Sequence, residues 1–218
     1  MVYREKFAAE MDALYDNVIE LARECHRRLQ GCSEVLTDNS TEPARALVTG
    51  DKDVNRMEFD INTQVVNLIT TQQPVATDLR LIISSIKIAD DLERISDNIS
   101  NIGEVRKRVR ITNEKLILRL STMEKLASLM LEDVYTAYEE KNTNLCMEII
   151  TRDKDIDSLF VQITTSDIIE ESDVFVTGQI QLSAKYLERI GDHVKNIAEH
   201  VYFIITGEKY EKIKRDEL

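Results

Sequence analysis

Apolar residues recur along this chain at alternating steps of three and four, the spacing that lines one face of an α-helix. The series Met11, Leu14, Val18, Leu21, Cys25 and Cys32 predicts a first helix that fades between Gly31 and Asn39. A second begins around Glu42-Pro43, because proline is tolerated in a first turn, and runs through Val54, Met57, Ile61, Val65 and Leu68. Gln73-Pro74 should stop it, since the residue before proline is pushed out of the helical region. A third starts near Thr77 as N-cap, with Asp78 well placed against the helix dipole, and carries Ile88, Leu92, Ile95, Ile99 and Ile102. The fourth follows Leu116, Leu120, Met123, Ala127, Met130, Val134 and Ala137, and the fifth Ile149, Ile156, Leu159 and Ile163. The sixth uses Leu187, Ile190, Val194, Ile197, Val201 and Ile204 and should end by Gly207.

The pattern repeats. Leu92-Glu93-Arg94-Ile95-Ser96-Asp97 returns 95 residues later as Leu187-Glu188-Arg189-Ile190-Gly191-Asp192, and both copies continue to an Asn-Ile pair, Asn101-Ile102 and Asn196-Ile197. The same offset pairs Thr77-Asp78 with Ser172-Asp173, two hydroxyl-then-acid pairs of the kind that start helices. An offset of 102 pairs Gly50-Asp51-Lys52-Asp53-Val54-Asn55 with Arg152-Asp153-Lys154-Asp155-Ile156-Asp157, and a shorter connection in the second half would account for the difference. These repeats imply an ancestral unit duplicated and fused. Long amphipathic helices joined by short connections pack as up-and-down bundles. The expected fold is therefore all-α: six long helices forming two tandem three-helix bundles, residues 1–110 and 111–218. With no Gly-, Pro- or Ser-rich linker between them, the two should pack side by side as a rigid unit.

Composition agrees with helices and narrows the function. Six glycines and two prolines in 218 residues supply too few turns for an all-β fold. Lys and Arg number 28 against 40 Asp and Glu, a net charge of −12. Such a surface repels nucleic-acid backbones and anionic lipid and favours basic partners or cations. A local basic patch around Arg106-Lys107-Arg108 and Arg110 is the exception. No apolar run suggests a signal peptide or a membrane span, so a cytoplasmic protein without membrane insertion is expected. The last residues, Arg215-Asp216-Glu217-Leu218, read as a solvated end rather than a retention signal. Cys25 and Cys32 belong to an apolar series and should be buried free thiols.

The candidate chemistry lies on the faces away from the apolar seams. If Leu92 and Ile95 point inward, Glu93 and Asp97 share an outward face that Asp90, Asn101 and Glu104 extend; Glu188, Asp192, Asn196 and Glu199 do the same in the second unit. Asp51 with Asn55, and Asp153 with Asp157, have the same four-residue spacing. Carboxylates so spaced repel unless a positive charge lies between them. Oxygen-only ligands suit a hard cation such as magnesium, calcium, manganese or ferric iron. The bland alternative is a solvated face with surface pairs such as Asp90 with Arg94 and Lys185 with Glu188. The repetition of Glu, Arg, Asp and Asn in one order favours a site. Enzymatic chemistry has little support: no Glu-x-x-His pair, phosphate-cradling loop, nucleophile elbow or Cys-x-x-Cys occurs, and His193 and His200 fit a packing seam better than a metal.

Gly50-Asp51-Lys52-Asp53-Val54-Asn55, Gln73-Pro74-Val75-Ala76-Thr77-Asp78-Leu79-Arg80-Leu81 and the two Leu-Glu-Arg-Ile-x-Asp motifs together resemble the PhoU family of bacterial phosphate-uptake regulators. The resemblance covers most of the chain. It implies a cytoplasmic all-α accessory protein that contacts the ATPase subunit of the phosphate ABC transporter and a sensor histidine kinase. There it would restrain uptake and repress the starvation response, without enzymatic activity. It further implies multinuclear iron or zinc clusters, or another divalent cation such as magnesium or manganese, held through an acid-x-x-x-Asp motif. Glu93 with Asp97, Glu188 with Asp192 and Asp153 with Asp157 meet that motif, whereas Asp51 is followed by Asn55. Ser96 also stands where the second unit has Gly191, and Arg80 faces Phe175 as its counterpart, leaving Arg80 as a candidate partner contact. Extended bundle faces suit a homodimer. The rival classes are a metal-storing bundle or metal-dependent phosphoester chemistry, and a purely structural bundle.

Overall fold

Each apolar series becomes the buried stripe of a helix in the computed structural model, which describes residues 2–165 and 173–211. Every regular element among these residues is helical: α1 Val2–Leu29, α2 Cys32–Val35, α3 Glu42–Thr49, α4 Asp51–Gln72, α5 Ala76–Arg108, α6 Glu114–Glu140, α7 Thr143–Thr164 and α8 Val174–Thr206. Six are long; α2 and α3 are short pieces of the first unit's connection. Helices α5 and α8 pack most extensively on each other, with α1 and α4 flanking α5 and α6 and α7 flanking α8. Two three-helix units thus lie side by side, and one apolar core runs through both from Leu14 to Val201.

Several local expectations change. The second predicted helix is broken at Gly50 into α3 and α4, although Gly50 keeps helical angles and its N–H still reaches Ala46 O at 3.0 Å. Helix α5 begins at Ala76 with Val75 as N-cap, so Thr77 lies inside the first turn and caps nothing. In the second unit Asp173 caps α8, accepting from Phe175 N and Val176 N, while Ser172 lies outside the described residues, as do Arg215 to Leu218. The shorter second connection expected between α7 and α8 falls on residues 166–172, which lie outside the described residues. Helix α7 ends at Thr164 soon after Asp153, whereas α4 runs from Asp51 to Gln72.

The basic run at the end of α5 is partly engaged by the fold. Arg106 is buried and donates to Asp38 O at 3.2 and 2.6 Å, Arg110 donates to Thr37 O at 2.7 Å, and Lys107 pairs with Glu104 at 2.8 Å. Arg106 and Arg110 tie down the loop after α2, as an otherwise unpaired carbonyl requires a donor. Glu124 of α6 secures the other end of α2, accepting from Gly31 N at 2.7 Å, from Ser33 N at 3.1 Å and from the Ser33 hydroxyl. Arg80 also has an internal place. Its guanidinium lies 5.8 Å from the Phe203 ring centre at the end of α8, where Gly207 closes the helix at φ 80°. A Cβ at Gly207 would collide with that guanidinium, and a cation there faces the negative end of the helix dipole.

Candidate functional site

The repeated acidic motifs meet across helix pairs, α4 with α5 in the first unit and α7 with α8 in the second. In the first, Asp51 opens α4 and points at α5, where its Oδ1 accepts from the Ser96 hydroxyl at 2.5 Å and stands 3.5 Å from Arg28 Nη1. Arg28 comes from α1 and is 4% exposed. It also donates to Ser96 Oγ, to Leu47 O at 2.6 Å and to Ser100 Oγ at 3.0 Å. Asn55 Nδ2 donates to Asp51 Oδ2 at 3.2 Å. The inner carboxylate is therefore fully engaged, and its charge is balanced by a buried guanidinium.

Outside this pair, Glu93 is half-buried and Asp97 exposed. Burial pushes the Glu93 carboxyl above its ordinary value, and the charges of Asp97 and Asp51 push it further. Asp97 is raised for the same reasons, burial first and Asp51 next. Asn101 is exposed, and Asp90 pairs with Arg94 at 3.2 Å, the plain surface network anticipated for those two.

The second unit builds a similar cluster differently. Asp153 is 2% exposed and accepts from Lys195 Nζ at 2.8 Å on Oδ2, with Lys195 Nζ 4.0 Å from Asp192 Oδ1. The bond to Asp153 raises the lysine above its ordinary value, against the opposing effect of burial. Asp153 Oδ1 is buried without a hydrogen-bond partner. Gly191 allows this approach: a Cβ there would lie 2.8 Å from Ile156 Cδ1 and 3.2 Å from Asp153 Oδ1. Burial raises Asp157 and Asp192, each pushed further by Asp153. Glu188 accepts from Lys185 at 2.6 Å on the rim of the cluster. Asn196 does not join it: its amide turns to Asp91 Oδ1 at 3.4 Å, across the seam between the units. His193 and His200 line the same seam, 2.8 and 3.6 Å from the Asp91 carboxylate oxygens.

Repetition thus brings Asp51, Asn55, Glu93 and Asp97 together, and Asp153, Asp157, Glu188 and Asp192 together, while Asn101 and Asn196 stay apart. It misses the two cations at the centre. A signal for Arg28 exists, because it falls three residues after Cys25 and beside Leu29 on the core-facing stripe. Lys195 breaks the internal symmetry by standing where the first unit has Ser100.

The first cluster does not fit a metal ion as folded, since Arg28, Ser96 and Asn55 already take the Asp51 oxygens. In the second, Lys195 takes the inner oxygen. Among the described residues no three His, Cys, Asp or Glu side chains converge in a metal-holding group.

Two clusters on a duplicated helical frame can be set against known proteins. The PhoU domain profile matches residues 9–105 and 120–201, most of the chain and both units. The chain belongs to the PhoU family. A relative from Clostridium acetobutylicum, named as a phosphate-specific transport system accessory protein PhoU homolog, is 31% identical over 94% of this chain and 97% of its own length. The PhoU protein of Escherichia coli is 27% identical over 98% of this chain and 90% of its own. The crystal structure of PhoU from Pseudomonas aeruginosa superposes with a TM-score of 0.86 at 24% identity, covering 93% of this chain and all of that one. The PhoU fold is thus shared at 24% identity. No helix among the described residues is long and apolar enough to cross a membrane.

Proposed function

We propose that this protein is a cytoplasmic negative regulator of high-affinity phosphate uptake and of the phosphate-starvation response. It acts by docking its acidic faces on the ATPase subunit of the phosphate ABC transporter and on the cytoplasmic region of a sensor histidine kinase. One observation carries the reading beyond family membership: each unit balances its inner carboxylate with its own cation and leaves outer carboxylates crowded, Glu93 and Asp97 in one and Asp157 and Asp192 in the other. Crowded, partly desolvated carboxylates disfavour the free protein and are relieved by a basic partner. A cost of this kind kept in both units is explained by use at an interface. Docking that favours the kinase's off state would lower signalling by its differential affinity for that state, with no chemical step by this chain.

Deleting the gene in its own host should raise phosphate uptake and switch on a starvation-responsive reporter in phosphate-rich medium. Re-expression of the wild-type chain should restore repression. A reporter that stays silent in the deletion strain would remove the regulatory reading.

A further inference from the structure

The inner carboxylates of the two units, Asp51 and Asp153, correspond through the offset of 102, and each meets one cation of the chain itself. The cations do not correspond. In the first unit the guanidinium arrives from α1, helped by the hydroxyls of Ser96 and Ser100. In the second the ammonium stands on α8 at the place of Ser100, and Gly191 removes the hydroxyl that Ser96 supplies. Two different side chains from two different helices therefore satisfy the same requirement at the same place. The second solution is the looser one. Asp51 has both oxygens engaged, but Asp153 keeps Oδ1 buried and unpartnered beside Gly191. The second unit also has Asp157 where the first has Asn55, one more carboxylate around a single ammonium.

We propose that the second acidic cluster is a cation site whose resident cation is the Lys195 ammonium. Asp153 holds the ammonium at 2.8 Å, Asp192 stands 4.0 Å from it, and Asp157 lies within reach of its charge, so the tethered ammonium supplies the positive charge that a free cation would otherwise bring. The wild-type chain therefore holds no divalent ion tightly at this cluster. Removing Nζ while keeping the length of the stem leaves the charges of Asp153, Asp157 and Asp192 unbalanced and draws them around a hard cation, which prefers carboxylate oxygens. The inference concerns what occupies the cluster, and it stands or falls separately from the docking reading because its test needs no partner protein.

The test is titration of Mn²⁺ into the wild type, Lys195→Met and Lys195→Met combined with Asp153→Asn, by isothermal titration calorimetry with helicity checked by circular dichroism. The expected result is uptake of one Mn²⁺ per chain by Lys195→Met, at least tenfold tighter than in the wild type, with the gain lost in the double variant. A folded Lys195→Met chain that binds Mn²⁺ no better than the wild type overturns the proposal. The wild type supplies a test independent of any variant, by nuclear magnetic resonance. Stoichiometric Mn²⁺ should leave the amide signals of Gly191 and Lys195 no broader than those of the chain at large, and selective broadening of these two would show a free ion where the ammonium is placed.

Discussion

Arg28 is a charged residue on a core-facing stripe, and Asp51, Ser96, Ser100 and the Leu47 carbonyl receive its two Nη groups, while its Nε is buried without a hydrogen-bond partner. Breaking a buried pair leaves an uncompensated charge, so Arg28→Met should cost about 3 kcal/mol in urea denaturation. Adding Asp51→Asn should recover part of that loss, and a double variant as unstable as the single one would argue against the pairing. The outer carboxylates behave oppositely. Burial raises Glu93 and Asp97 above the values they have in an unfolded chain, so between those values the folded state holds more protons than the unfolded one. Their contribution is most favourable below the unfolded values and is lost as pH rises through the folded ones. Glu93→Gln with Asp97→Asn should therefore melt higher than the wild type at neutral pH, and the gap should close on acidification through the carboxylate range. At this scale the sequence makes the carboxylates legible, because their spacing repeats. Their partners are not legible, because Arg28 reaches Asp51 from a helix that only tertiary packing brings near.

Among the elements, the long helices are readable from periodicity alone, since a stripe such as Leu116 to Ala137 has one way to be buried. The connections are less so. The break at Gly50 leaves the apolar register almost intact, and α2 is a single turn too short to carry a pattern. That turn is held by distant side chains: Glu124 accepts from Gly31 and Ser33, and Arg106 grips Asp38 O. Truncating Glu124 to alanine strands these donors and should cost about 2 kcal/mol. Faster hydrogen exchange at the Gly31 and Ser33 amides would localise the effect, and unchanged exchange there would refute the role. Arg80 illustrates the same limit, since its place against the end of α8 is set by tertiary packing that its motif does not reveal.

For the whole molecule, duplication predicts two units, and the packing of α5 on α8 joins them through one apolar core. Shared burial couples their unfolding, so urea should unfold the chain in a single transition seen alike by helicity and by tyrosine fluorescence. Two separated transitions would mean that the units are energetically independent. The same arrangement carries both acidic faces on one shared core, with the charge of −12 behind them to steer a basic partner. The most direct measurement is the affinity of the purified chain for the cytoplasmic region of the sensor kinase and for the transporter's ATPase subunit, by biolayer interferometry. The wild type would be set beside a folded variant carrying Glu93→Lys, Asp97→Lys, Glu188→Lys and Asp192→Lys. Saturable binding by the wild type that weakens with added salt is expected, with at least a tenfold loss in the variant. Equal affinity of the two chains would contradict docking through the acidic faces.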